Sequence, residues 1–415
     1  MTAPCTGLWS HRDFLRLWAA QTVSGFGARI AREGLPWAAI ITLKAGPEAM
    51  GIFAALALGP QAAVGLFAGD LVDRLPKKPL MITADLARAV ILILVPVMAL
   101  AGRLTLMELY VAGALMGVFN VLFDVADHAF LPSLVASSEL IDGNAKLATT
   151  DAAAEVSGPA IAGTLVQLVT APLAVALCAL TYLASALFLV RIGAREPGSA
   201  ERASQGPARF DLGAGLRIAL AHPLVRPLFL SEVTRAFFGA FFAALYLIFA
   251  FRNLHLTPLL VGVAVAAGGI GGLAGAVLSP HIVGRLGVGP TIILTGLSGV
   301  LTLWLIPLAG GPPLVALMFL LVPQVLGDGL QTVAEVSATS LRQTVLPTAA
   351  LGRAGGAFAF GVGLMGVAGA LAGGVLSAHI GARWTLSIAA AGLAAASLFA
   401  VFSPLRTLRA ATPGP

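Results

Sequence analysis

GAREPGSAERASQGPARFDLGAGLRIALAH, residues 193–222, is the only long polar stretch in a chain of 415 residues. Its first part is rich in Gly, Pro, Ser and charge, the composition of a linker. Its second part, around Phe210 to Leu220, reads as a short helix lying on a membrane surface. Outward from this stretch the chain turns apolar in both directions. It is 58% hydrophobic and only 11% charged, with a mean hydropathy of +0.94. A soluble domain carries roughly 25% charged residues, so there is too little polar surface here to face water. About 20 mostly apolar residues cross the hydrocarbon of a bilayer. Segments of that kind lie near 14–43, 48–72, 79–101, 105–131, 139–169 and 172–192 before the polar stretch. Others lie near 224–250, 257–283, 290–309, 313–344, 352–380 and 384–403 after it. The expected organisation is an N-terminal six-helix bundle over 1–192, a cytoplasmic linker with a surface helix over 193–222, and a C-terminal six-helix bundle over 223–415.

The basic residues set the orientation. With both termini cytoplasmic, the outer connections hold only Lys44, Arg103, Arg252 and Arg383. The inner connections and span ends hold Arg12, Arg16, Arg74, Lys77, Lys78, Arg191, the linker's Arg195, Arg202, Arg209 and Arg217, Arg226, Arg285, Arg342, Arg353, Arg406 and Arg409. That asymmetry is the positive-inside pattern, and it explains the net charge of +6 without nucleic acid as a partner. The N-terminus has no short apolar core followed by a small-residue cleavage site, so no removable signal peptide is expected. Cys5 and Cys178 fall at different depths and are not expected to pair. No CxxC or HExxH pattern points to a metal.

The halves echo each other at one offset. AGDLVDRL at 68–75 lies over SPHIVGRL at 279–286, and VSGPAIAG at 156–163 over VAGALAGG at 367–374, both 211 residues apart. Six-helix repeats place a binding site at their interface near the bilayer midplane.

The segment GDLVDRLPKK, residues 69–78, resembles the loop signature of the major facilitator superfamily, Gly-x-x-x-Asp-Arg-x-Gly-Arg/Lys-Arg/Lys. The matching positions are Gly69, Asp73, Arg74, Lys77 and Lys78; Pro76 stands where the family has Gly. Gly158, Pro159 and Gly163 resemble a loose form of the antiporter motif of that superfamily. LWSHRDFLRLW at the start, TADLARA in the third segment, LPSLV and GNAKL before the fifth, and LRQTVLP and LGR before the eleventh extend the resemblance along the chain. They are similar to a drug/proton antiporter branch that includes macrolide efflux proteins and the enterobactin exporter. The resemblance implies an all-α membrane fold of about twelve transmembrane helices in two pseudo-symmetric six-helix bundles. It also implies alternating access, a cavity lined by spans one, four, seven and ten, and a conformational latch in the signature loop.

Ionisable residues at the middle of a span cost about 2.5–3.5 kcal/mol on insertion scales, so they face protein or water. Here they fall in those four spans: Arg29, Arg32 and Glu33; Asp124, Asp127 and His128; Glu232 and Arg235; Asp328 and Glu335. Arg29 with Glu33, Asp124 with His128, and Glu232 with Arg235 sit at spacings that allow pairing along one helix. Asp328 and Glu335 share a stripe with no local basic partner. Elsewhere, Asp85 and Arg88 form an i,i+3 pair suited to a structural role, and Asp151 with Glu155 is a like-charge pair. Arg29, Arg32, Arg88 and Arg235 favour an anionic or zwitterionic cargo unless acids consume them. Phe26, Trp37, Phe119, Phe237, Phe238 and Phe241 are aromatic candidates for the cavity, or for packing between helices.

The reading is a secondary transporter of the bacterial inner membrane, multi-pass, exporting a small organic molecule such as a drug or siderophore against protons. The alternative is a proton-coupled importer of the same fold; a non-transporting membrane protein is the weakest reading. Candidates for proton coupling are Glu33, Asp127, Glu232 and Asp328. Candidates for cavity charge are Arg29, Arg32, Asp124, Arg235 and Glu335. The expected partners are a small-molecule substrate, protons and membrane lipids, around a monomer. No catalytic cluster suggests an enzyme, and no cofactor or metal is expected.

Overall fold

The computed structural model describes residues 8–136, 138–193 and 212–409, without the side chains of 61–74, 348 and 349. Among the described residues there is no strand. The N-terminal half contains α1 (Arg12–Trp37, continued by a π turn Ala38–Thr42), α2 (Pro47–Arg74), α3 (Lys77–Leu100), α4 (Leu106–Leu134), α5 (Leu140–Leu168) and α6 (Ala171–Val190). A short helix, α7 (Leu212–Ala221), lies in the second part of the 193–222 stretch. The second half contains α8 (Val225–Asn253), α9 (Pro258–Leu286), α10 (Val288–Leu308), α11 (Pro313–Val345), α12 (Thr348–Ile380) and α13 (Ala382–Val401). By length and composition, α3, α4, α6 and α8 to α13 can each cross a membrane. α1 and α5 are as long but carry charge along their length, and α2 carries none between Glu48 and Asp70. Spans one, four, seven and ten are therefore α1, α4, α8 and α11.

The 211-residue echo is structural. α1 ends in the π turn Ala38–Thr42 and α8 in the π turn Phe249–Asn253. Lys44 and His255 then take the same left-handed conformation, φ 53° and 52°. Matching backbone bonds close both corners, Ala45 N to Ala39 O (2.9 Å) and Leu256 N to Ala250 O (3.0 Å). The signature loop departs from this symmetry. Pro76 caps α3 at φ −65°, whereas its counterpart Gly287 sits at φ +86°. Proline cannot reach that conformation, so the substitution changes the turn rather than leaving it intact.

The halves meet through paired glycine crossings. A methyl group on Gly51 of α2 would stand 2.6 Å from the Ala370 carbonyl oxygen and 2.9 Å from the Gly374 Cα of α12. One on Gly262 of α9 would stand 2.5 Å from the Pro159 carbonyl oxygen and 3.1 Å from the Gly163 Cα of α5. Gly51 and Gly262, Pro159 and Ala370, and Gly163 and Gly374 are each related by the same offset. Small residues let helices approach to backbone contact where lipid gives no hydrophobic drive. The antiporter-like triplet thus lies where the halves touch. Gly158 also faces α1, where a methyl would come within 2.6 Å of Arg29 Cβ.

These crossings lie toward the end away from the linker, and the apolar cores follow them. At that end one buried core runs through both halves, including Trp37, Leu109 and Val175 with Leu245, Phe249 and Leu320. Trp37 stacks edge-to-face on Phe251, with centroids 5.7 Å apart, and Arg252 donates to the Ala45 carbonyl (2.8 Å). At the linker end there are two separate cores. One is made of N-half residues around Phe14, Met81 and Phe130. The other is made of C-half residues around Phe229, Leu341 and Phe358. The bundle is sealed at one end and split at the other. Cys178 is a buried thiol without a disulfide; Cys5 lies outside the described residues.

Inside the N half, Arg88 of α3 is 2% exposed and Asp85 fully buried. The guanidinium bonds Asp85 Oδ1 (2.5 Å) and Asn120 Oδ1 (3.0 Å). It sits between the rings of Phe123 (4.3 Å) and Tyr182 (4.4 Å). The pair ties α3 to α4 and α6, as its spacing predicted for a structural role.

Two outcomes follow from this packing. In a background of Cys5→Ser and Cys178→Ser, a thiol at the buried Ala45 (Ala45→Cys) should react slowly with a membrane-impermeant maleimide. Adding Gly374→Leu should speed labelling several-fold by prising the seal apart; an unchanged rate contradicts the sealed end. Asp85→Asn leaves a buried guanidinium without its counter-charge and should cost about 3 kcal/mol. Asp85→Asn with Arg88→Gln should cost less than the single change when thermal unfolding is measured.

Candidate functional site

The split end opens into a cavity of about 1280 Å³ between the halves. Its wall comes mainly from α1, α2, α4, α5, α8 and α11. Three of the four spans that carry charge present it on one stripe. α1 offers Gln21, Gly25, Arg29 and Arg32; α4 offers Asn120, Asp124, Asp127 and His128; α11 offers Gln324, Asp328, Gln331 and Glu335. Residues three and four apart share a helix face, so the spacing aims each set inward. α8 contributes Arg235, Gly239, Phe242 and Tyr246.

The ion pairs cross between helices instead of running along them. Arg29 reaches Asp151 (2.9 Å) and Glu155 (2.7 Å) of α5. Arg32 reaches Glu155 (2.7 Å) and, less closely, Glu33 (3.6 Å). The expected Arg29–Glu33 pairing is therefore corrected: a carboxylate pair on the adjacent helix approaches two guanidiniums more closely than a residue one turn away. The like charges of Asp151 and Glu155 are held apart by the same two arginines. Arg235 pairs with Glu335 of α11 (3.8 Å) and Glu232 with Arg342 of α11 (3.9 Å), in place of Glu232 with Arg235. Glu232 does not line the cavity. Asp124 and His128 do not pair through their side chains; the His128 ring donates to the Asp124 backbone carbonyl (2.7 Å).

Three cavity carboxylates, Asp124, Asp127 and Asp328, stand apart from the ion pairs. Asp127 accepts a hydrogen bond from the Gln21 amide, a neutral partner. Asp328 follows directly on a π turn, Pro323–Gly327, that interrupts α11; its counterpart α4 is an unbroken α-helix over the matching residues. Such π insertions often occur at functional sites. A methyl on Gly268 of α9 would press on both Asp328 Oδ2 and Gln324 Oε1 (2.7 Å from the latter). A glycine there makes room for the two polar side chains. Among the described residues, no ion pair engages Asp124, Asp127 or Asp328, and no three His, Cys, Asp or Glu side chains converge to hold a metal ion.

The aromatic candidates pack elsewhere. Trp37 belongs to the sealed end, and Phe237, Phe238 and Phe241 stack on one another 5.1–5.7 Å apart. Phe53, Phe123, Phe242 and Tyr246 line the cavity instead. The sequence reading also missed Gln21, Asn120 and Gln324, uncharged residues that carry no cost signal. Their only mark was helical spacing to the charged positions.

In the signature loop, the side chains of Gly69, Asp73 and Arg74 lie outside the described residues. Lys77 is 2% exposed. Lys78 donates to the carbonyls of Val190 (3.2 Å) and Ile192 (2.6 Å), which end α6. Lys77 is thus buried in protein and the Lys78 ammonium is tied to backbone.

Known proteins share this architecture. A bacterial homologue of the iron transporter ferroportin in its inward-facing state superposes with TM-score 0.73 at 16% identity, covering 94% of this chain and 98% of that one. A bacterial homologue of ferroportin in the outward-facing state gives TM-score 0.60 at 17% identity, with the same coverage. The D-xylose-proton symporter gives TM-score 0.69 at 14% identity, covering 95% of this chain and 98% of that one. At these identities the likeness is one of fold alone. No curated protein sequence matches the chain. The family model described as Major Facilitator Superfamily matches residues 17–370, a stretch that takes in the signature loop, the linker and the charged spans, and the chain belongs to that family.

Proposed function

We propose that this chain is a proton-coupled exporter of a small organic molecule, working by alternating access in a bacterial inner membrane with both termini cytoplasmic. The observation that carries the reading is a cavity between two halves that share a core at one end only. A rocking motion that exchanges the sealed end for the split end would carry a bound molecule across. The basic residues of the linker favour the split end as cytoplasmic. The better superposition on an inward-facing structure than on an outward-facing one supports the same sense. The GP-containing crossing of α5 on α9 supports export over import, because the antiporter motif it resembles belongs to exporters.

For coupling, a proton carrier has to exchange its charge state without first breaking an ion pair. Asp127 and Asp328 meet that condition and Glu33 and Glu232 do not, so we assign the proton to one or both of the first two. Burial disfavours a lone carboxylate, and protonating it removes a charge that otherwise favours the wetter conformation. One proton crossing 100 mV supplies about 2.3 kcal/mol. Asp73 and Arg74 are proposed as the latch that holds one of the two end states.

An efflux-deficient bacterial host expressing the chain, grown on a panel of antibiotics with siderophore secretion followed in parallel, tests the reading. Wild type should raise tolerance or secretion several-fold for at least one compound. Asp73→Asn and Asp328→Asn should remove that gain while still reaching the membrane. Uphill accumulation in the cytosol would favour an importer, and no change with any compound would remove export altogether.

A further inference from the structure

The cavity's charges do not balance once its ion pairs are accounted for. Its four arginines are all engaged within 4 Å. Arg29 and Arg32 are held by Asp151 and Glu155, Arg88 by Asp85 and Arg235 by Glu335. Among the described residues, no basic side chain comes that close to Asp127 on the N-half wall or Asp328 on the C-half wall. An anionic cargo would have to pull an arginine out of an existing pair. A cationic cargo would meet carboxylates that no pair engages. Resting on the transporter reading, we infer that the cargo is an organic cation, a charged nitrogen on an apolar frame, drawn into the cavity by the unpaired carboxylates of its wall, Asp127 and Asp328.

Three further features of the wall fit that class. The cavity, at about 1280 Å³, exceeds the roughly 300–1,000 Å³ of most small-molecule pockets, and is far larger than an inorganic cation requires. Phe242 and Tyr246 of α8 and Phe53 of α2 line it, aromatic groups of the kind that attract an apolar cation. The hydrogen bond from Gln21 orients the Asp127 carboxylate without neutralising it, and the π turn with Gly268 opposite seats Asp328 beside Gln324. Both carboxylates are thus built into the wall, and among the described residues neither is held in an ion pair.

Tetraphenylphosphonium and tetraphenylborate have one shape and opposite charge, and they separate the possibilities. With purified wild-type protein in nanodiscs, tetraphenylphosphonium should bind saturably and at least about tenfold more tightly than tetraphenylborate, a difference of about 1.4 kcal/mol. Asp127→Asn and Asp328→Asn should each weaken it by a similar factor, while Asp142→Asn, at the Lys146 pair outside the cavity, should not. A second measurement needs neither acidic variant to fold. A side chain added at Gly25 meets nothing within 4 Å, and the residue lines the cavity. A thiol introduced by Gly25→Cys, with both natural cysteines replaced by serine, should react with maleimide and be protected by tetraphenylphosphonium only. Equal protection by both ions, stronger protection by tetraphenylborate, or protection by neither overturns the cation assignment and leaves the transporter reading standing. A Gly25→Cys thiol that maleimide itself never reaches would remove the cavity, and the transporter reading with it.

Discussion

Backbone contact at two crossings, Gly51 with Gly374 and Gly163 with Gly262, holds the halves together at one end and leaves them apart at the other. Lipid tails are as apolar as any helix surface, so the halves gain little by hiding apolar side chains from them. What draws them together is close approach, and a single methyl at any of these positions would stand at 2.5–2.9 Å from a backbone atom or closer. The shared core forms where the crossings permit it. Beyond them, each half closes on a core of its own. The cavity is the space that results, and its depth is set by where the glycines stop.

That geometry decides the state of every charge in the wall. Arginines of α1 find the acids of α5 because Gly158 lets those two helices touch at Arg29. Arg235 and Glu232 of α8 turn to α11 instead of to each other. Pairing across helices ties each half into a rigid body, which a rocking mechanism requires, and it consumes the cavity's positive charge. Asp127 and Asp328 are left facing space with no cationic partner among the described residues. The N half adds the buried Asp85–Arg88 pair, whose positions in the C half are Gly296 and Gly299, so the symmetry of the backbone is not carried into the polar interior.

Much of the fold was legible before any coordinates. Spans, linker and two-fold repeat follow from hydropathy, one polar stretch and a constant offset, because crossing a membrane imposes length and apolarity on each helix separately. The charged positions were legible too, since a charge in hydrocarbon is expensive wherever it occurs. The partners were not. Arg29 with Glu33 and Glu232 with Arg235 fit the spacing of a single helix, yet the acids nearest in space came from a neighbour. Of the three π turns among the described residues, the one that sets the position of Asp328 is marked in the sequence by the proline that opens it, Pro323; that the interruption is a π turn was not legible. The aromatic residues were open to either cavity or packing, and Phe237, Phe238 and Phe241 take the second: they lie on a cavity helix but on its packed face.

The sequence by itself determined that this is a membrane protein of two repeated halves, and which residues are charged inside it. Those properties are local, fixed by what each segment tolerates in contact with lipid. Only the tertiary structure decided which charges cancel, which end is sealed and which carboxylates remain without a counter-charge. Those outcomes depend on distances between helices far apart in the chain, and a few glycines at backbone contact set those distances.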